Sequence, residues 1–163
     1  GQDTSRQSEK QKNTLRNEDF GFVLQPFFLT GRGTVAENVL LPLRIRGASG
    51  SELDSAARTA LAAVDLTEKL NKSAKDLSGG EKQRVCIARA LIGNPEVIFA
   101  DEPTGNLDST TGAAVEKLLF DLNREQGITL VIVTHDGELA ERCNSIIEMK
   151  DGKIVNERAG GAA

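Results

Sequence analysis

Two apolar runs, VIFA at 97–100 and ITLVIVT at 128–134, carry no alternation of polar and apolar residues. Runs of this kind read as strands buried on both faces, the pattern of a parallel sheet. The segment between them holds a helix over residues 111–124, the length a parallel crossover needs, and such crossovers are right-handed. A shorter run, FGFVL at 20–24, supplies another strand. The fold class is therefore α/β with a mostly parallel sheet. Ligands of such sheets sit beyond the carboxyl ends of the strands. Asp101 and Glu102 follow VIFA and His135 follows VIVT, so all three stand at that end.

The remaining segments read mainly as helices. Residues 3–19 are polar and helical, with Ser5 or Ser8 as the cap. Gly31 and Gly33 break the chain, and Thr34 caps a helix through AENVLLPLRIR that Pro42 bends or interrupts. After a loop at 47–50, Ser51 starts a helix whose Leu53, Ala57, Leu61 and Val64 share one apolar face. A helix from Ser78 to near Ile92 ends at Gly93, Asn94 and Pro95. SIIEMKDGKIV at 145–155 reads as a hairpin turning at Asp151 and Gly152, and the tail RAGGAA reads as disordered.

Bulk properties exclude several classes. The 163 residues suffice for one domain or part of one, and the net charge of -4 provides no footprint for nucleic acid. No apolar stretch approaches the roughly eighteen residues of a membrane helix, and no basic-then-apolar leader appears. Cys86 and Cys143 lack any metal-ligand spacing; Cys86, inside VCIARAL, reads as a small apolar residue, and both suit a reduced, cytosolic compartment.

The chemistry concentrates in residues 77–108, which read LSGGEKQRVCIARALIGNPEVIFADEPTGNLD. Ser78, Gly79 and Gly80 offer a hydroxyl and free backbone N–H groups at a helix start, where the dipole favours an anion. The plainer reading is a capping box of Ser78 with Glu81; the two are compatible. Asp101 is a candidate Mg²⁺ ligand and Glu102 a candidate to polarise an attacking water, against the plainer reading of two solvated acids at a strand end. The plainer reading of Asp108 is a helix cap before STTGAAVEK. Arg84 and Arg89 read as readily as a solvated helix face as they do as phosphate contacts, and both stay outside the candidate site.

This block resembles the ABC-type ATPases, with LSGGE as their signature and VIFADE as their Walker B strand. The resemblance implies a partial P-loop NTPase (RecA-like) core with an inserted α-helical subdomain: 1–25 as core segment and Q-loop strand, 26–94 as Q-loop, helical subdomain and signature helix, 95–157 as Walker B, D-loop and switch-histidine core, and 158–163 as tail. It implies that Glu102, His135 and Gln25 are catalytic, and that Asp101 and Gln25 hold Mg²⁺ with ATP. Leu77, Ser78, Gly79, Gly80 and Glu81 would act in trans on the nucleotide of a paired ATPase subunit or second copy, with Asp108 at the dimer seam. Residues 26–47 would dock an integral membrane permease, placing the protein peripherally on the cytoplasmic face of the membrane. LRNEDFGFVLQ, TVAENVLLPL, DEPTGNLDS and VTHD most resemble the lipoprotein-releasing, macrolide-exporting and cell-division subfamily. The DNA-repair and chromosome-structure ATPases also carry LSGGEK, but they interpose long coiled coils before it; here residues 26–77 show no sustained heptads.

A phosphate loop of the form G-x-x-x-x-G-K-[ST] is not found within residues 1–163, and there is no Tyr or Trp to stack on adenine. The expectation is thus of a chain truncated ahead of its first residue, which neither binds ATP tightly nor hydrolyses it alone. It could still dock a membrane subunit without turnover. Exposed apolar surface on an incompletely covered sheet is the structural corollary.

Overall fold

The computed structural model describes residues 3–161. Its centre is a three-stranded parallel sheet in the order β1 (Phe20–Val23), β2 (Val97–Asp101), β3 (Thr129–Val133). Phe22 pairs with Phe99, and Phe99 with Val131, so alternate residues share a face across all three strands. Helix α1 (Glu9–Glu18) precedes β1; Ser8 caps it in a reciprocal box with Gln11, while Asp3 caps a separate 3-10 turn at Thr4–Arg6. The expected single helix is therefore split, with Ser8 as its cap.

The helical insert comprises α2 (Val35–Val39), α3 (Leu41–Ile45) and α4 (Glu52–Ala62). Thr34 caps α2 in a box with Glu37, and Pro42 sits in the first turn of α3, where its missing N–H costs nothing. The chain breaks at Leu40 instead of bending at Pro42. Ala57, Leu61 and Val64 are buried and Leu53 half-buried, as the spacing of α4 requires. Arg46 fastens the insert to the core by donating to the Asn17 side chain and to the backbone carbonyls of Asn17, Glu18 and Gly93.

Helix α5 (Gly79–Leu91) packs its apolar side under the sheet so closely that a Cβ on Gly21 would stand 2.7 Å from the Ala90 carbonyl. Helix α6 (Ser109–Gln126) is the β2–β3 crossover and ends at Gly127, whose φ of +68° suits glycine. Val23, Ile98 and Ala100 are buried, with Leu130 and Ile132 half-buried beside them. The opposite face is more open. Phe22 stacks on Phe99 at 5.6 Å between ring centroids and Phe20 meets Phe99 edge-on at 5.2 Å, yet Phe22 remains 39% exposed, Val131 38% and Val133 58%. The expectation that β3 is buried on both faces is thus corrected: its apolar run serves one covered and one open face.

After the short α7 (Gly137–Glu141), β4 (Ser145–Lys150) and β5 (Lys153–Ala159) form an antiparallel hairpin. Asp151 and Gly152 have φ of +50° and +73°, the paired left-handed residues of a tight hairpin turn. The tail is more ordered than its composition implies. Arg158 lies in β5 and pairs with Glu141 at 2.5 Å, and the Gly160 and Gly161 amides donate to the carbonyls of Asn144 and Glu141. Residues 162–163 of the expected disordered tail lie outside the described residues. No helix among the described residues is long and apolar enough to cross a membrane.

Candidate active site

Strand β2 ends at Asp101, and the next residue, Glu102, takes a φ of +44°. That conformation costs a non-glycine residue about 1–3 kcal/mol and persists only where its surroundings hold it. Here the Glu102 amide donates to the Val133 carbonyl at 2.8 Å, and its own carbonyl accepts from the Gly105 amide at 3.1 Å. The carboxylate is thereby turned toward the end of β3. Its Oε1 accepts from the His135 amide at 2.8 Å and lies 2.7 Å from His135 Nδ1, while Oε2 accepts from the Thr134 hydroxyl at 3.2 Å.

Burial would by itself raise the Glu102 carboxyl, but the His135 bonds, the His135 charge and the Thr134 hydroxyl together hold it below its usual range. The reciprocal effect raises His135, first through the Glu102 hydrogen bond and then through its charge. The His135 side chain is 87% exposed, whereas that of Glu102 is only 20% exposed, so the histidine faces solvent over a largely covered carboxylate. A carboxylate ionised at neutral pH and held by a histidine can accept a proton from water.

Asp101 is exposed and in register with Val133. Gln25, half-buried just beyond β1, meets the turn after Glu102: its carbonyl accepts from Asn106 Nδ2 at 2.9 Å. A Cβ on Gly105 would stand 2.9 Å from Gln25 Nε2 and 3.5 Å from the Glu102 side chain. Glycine at 105 is thus what lets Gln25 and Glu102, distant in sequence, approach the same turn.

The start of α5 is built differently. Ser78 Oγ accepts from the Glu81 amide at 3.3 Å, and Glu81 Oε2 accepts from the Ser78 amide at 2.8 Å. Glu81 also meets Lys69 at 3.2 Å, and the Ser78 amide leads in holding its carboxyl low. Leu77 is buried beneath the turn. A Cβ on Gly79 would touch Leu107, and one on Gly80 would overlap the Thr111 methyl, so this end of α5 lies hard against α6 and the segment before it. Asp108 caps α6, accepting from the Thr111 amide at 3.0 Å; hydrogen bonds from Thr111 lower its carboxyl.

Four residues outside the sequence-derived set also shape the site. Gln83, one helical turn before Ile87 on the buried stripe of α5, donates to the Pro103 carbonyl at 2.6 Å. A polar residue on an apolar stripe is a legible signal for it. Asn106 offers no comparable signal. Arg89, which the sequence leaves outside the candidate site, donates to the Phe28 and Phe27 carbonyls at 2.9 and 3.0 Å and so anchors the segment after Gln25. Cys86 adds its thiol to the Phe27 carbonyl at 3.2 Å, and burial pushes that thiol up to about 11.

The sequence model of the ABC transporter family matches residues 1–105. The chain belongs to the ABC transporter family. An uncharacterized ABC transporter ATP-binding protein of Escherichia coli K12, YbbA, is 45% identical over 96% of this chain and 69% of its own length. Among solved structures, the dimeric post-hydrolysis state of the ATP-binding cassette MJ0796, bound to ADP and Pi, is 42% identical with a TM-score of 0.82, across 96% of this chain and 69% of that one. The cbiO1 subunit of Clostridium perfringens, part of the ABC transporter complex cbiONQ, is 30% identical with a TM-score of 0.82, over 92% of this chain and 60% of its own. The α/β fold with its parallel sheet is that of the ABC cassettes, and the chain is an ABC transporter ATP-binding subunit, a family whose domains are ATPases.

ABC ATPases generally use ATP with Mg²⁺. Among the described residues no cluster of three or more His, Cys, Asp or Glu could cage a metal. The donors that stand at the strand ends, the Asp101 carboxylate and the Gln25 amide, are hard oxygens. They suit an ion that takes one or two protein ligands and completes its shell with phosphate and water.

Proposed function

We propose that Glu102 is the carboxylate that orients the attacking water and accepts its proton in ATP hydrolysis, and that His135 holds Glu102 and meets the γ-phosphate. Asp101 and Gln25 would hold Mg²⁺, which when bound neutralises charge on the phosphate oxygens. The observation carrying this reading is the Glu102–His135 contact at the carboxyl ends of β2 and β3. The left-handed backbone of Glu102 adds weight, because strain of this kind gathers at functional sites.

Leu77, Ser78, Gly79, Gly80 and Glu81 would serve the nucleotide of a second ATPase subunit, with Asp108 at the seam between them. The dimeric state of MJ0796 and the exposure of Ser78, Gly79 and Asp108 support that assignment. The partner subunit would be a second copy or a paired ATPase subunit, and the net charge of -4 favours no nucleic-acid partner. Division of the chain at about 25, 94 and 157 into core, helical subdomain and returning core follows the same reading.

Residues 26–47 would dock a membrane permease, so that the protein works on the cytoplasmic face of the membrane. In support, Phe28 is 68% exposed, Leu41 46% and Ile45 67%, and all three line a groove of about 400 Å³ with Pro42 and Arg46. Exposed apolar side chains gathered at one groove mark an interaction site. The subfamily we favour is the lipoprotein-releasing, macrolide-exporting and cell-division group. Ile45→Asp should abolish co-purification with the cognate permease while leaving the melting temperature within a few degrees; retained co-purification would move the docking surface elsewhere.

Hydrolysis needs a nucleotide held in place, and the 163 residues contain no phosphate loop. Calorimetric titration of this chain with Mg²⁺-ATP should therefore show no stoichiometric binding, and turnover should be absent. Stoichiometric binding would overturn this part of the reading. Joined behind a segment carrying G-x-x-x-x-G-K-[ST], the chain should turn over, and Glu102→Gln should then trap an ATP-bound dimer. Unchanged turnover in that variant removes Glu102 from the role, and a joined protein that binds the permease without turnover leaves a docking module.

A further inference from the structure

Gln83 occupies a place on α5 where packing asks for an apolar residue. It is 1% exposed, among Ile87, Ala90 and Leu91 on the helix's buried side, and its Oε1 is enclosed without a hydrogen-bond partner. An enclosed acceptor left unpaired is a cost that methionine or leucine would not carry. What glutamine adds is the bond from its Nε2 to the Pro103 carbonyl, at 2.6 Å.

That carbonyl belongs to the residue directly after Glu102. Pro103 has no N–H and a fixed φ, so its carbonyl is the backbone handle by which the turn can be tied to a neighbour. The turn is closed on its other side by the Gly105 and Leu107 amides, which donate to the Glu102 and Thr104 carbonyls. A second point of attachment lies farther along, where Gly80 abuts Thr111. The loop that aims Glu102 at His135 is thereby fastened to the helix that begins with Ser78–Glu81.

We propose that Gln83 is a positioning residue whose amide ties α5 to Pro103, so that the placement of the Glu102 carboxylate against His135 depends on where α5 sits. This rests on the proposed role of Glu102 for its functional meaning: in a two-fold dimer, each chain's acid would respond to the contact its own signature end makes with the other chain's nucleotide. The tether itself is a statement about this chain alone and can be tested without nucleotide.

The test is NMR on the full chain labelled with ¹⁵N and ¹³C. In the unmodified protein, a through-hydrogen-bond coupling should connect Gln83 Nε2 with the Pro103 carbonyl carbon, and one Gln83 side-chain proton should exchange slowly. Gln83→Met keeps the volume but removes the donor; the His135 amide resonance should then move upfield, and its exchange protection fall about tenfold, the scale of one hydrogen bond. Val85→Ala is the control: it opens a hole in the same helix and lowers the melting temperature, yet should leave the His135 amide in place. Absence of the coupling overturns the tether, whether or not Gln83→Met folds. An unmoved His135 amide in a folded Gln83→Met overturns the dependence of Glu102 on it. Glu102→Gln separates the two ideas, since it should leave the Gln83–Pro103 coupling intact even if Glu102 proves to have no role in hydrolysis.

Discussion

The start of α5 and the end of β2 are linked through Gln83 and Pro103, yet they are held in opposite ways. At the start of α5, Ser78 and Glu81 satisfy one another within three residues, and Gly80 is pressed against Thr111. At the end of β2, Glu102 sits in a left-handed backbone and depends on Thr134 and His135 from another strand. The first arrangement is local and tightly packed. The second is long-range, open on its His135 side and sensitive to pH. The start of α5 is thus a closely packed edge, whereas the Glu102 carboxylate is held by bonds that protons can break.

The largest test of this contrast is packing at Gly80. Gly80→Val places a branched side chain where even a Cβ overlaps the Thr111 methyl, and should destabilise the chain by about 1–3 kcal/mol, read as a lower denaturant midpoint. Thr111→Ala in the same chain should recover part of that loss, and a strictly additive double-mutant cycle would deny the contact. Next in size is Ser78→Ala, which removes the cap and should cost about 1 kcal/mol. A cost near zero would mean that Glu81 and Lys69 hold the turn without the serine.

The smallest stability effects belong to the acid end, where the readout is a titration. His135 is the chain's single histidine, so its ring resonance can be followed without ambiguity. Its pKa should lie above the ordinary imidazole value and fall in Glu102→Gln, because the Glu102 bond leads the shift. The signs define a window. The stabilisation from the raised His135 is fully present below its unfolded pKa and fades as pH rises through the raised folded value. The stabilisation from the lowered Glu102 is present above its unfolded pKa and fades as pH falls through the lowered folded value. The contact should therefore be strongest between the two, and a His135 titration identical in both proteins would break the comparison at its exposed end.

Legibility followed the range of the interactions. The capping box at Ser78, the cap at Thr34, the hairpin turn at Asp151–Gly152 and the β2–α6–β3 crossover all rest on residues close in sequence, and each was readable from it, whereas Ser8 was one of two candidates with Ser5. The alignment of Asp101, Glu102 and His135 at one end of the sheet was also readable, because parallel strands share their direction. The open face of β3 was not, since an apolar run does not say which of its faces a neighbour will cover. Nor were the Arg46 and Arg89 anchors, whose acceptors are mostly backbone carbonyls in remote segments. Arg158 in the supposed tail is similar: its order comes from Glu141 and Glu148 on other elements.

Sequence alone determined the fold class, the family and the residues that carry charge to the strand ends. Local periodicity, caps and turn chemistry act over a few residues and leave their mark in order along the chain. Tertiary structure alone decided that Glu102 turns toward His135, that Gly80 and Gly105 are spaces kept for Thr111 and Gln25, and that Gln83 reaches Pro103. Each of these depends on distances between segments far apart in the chain, and those distances exist only once the sheet and helices have packed.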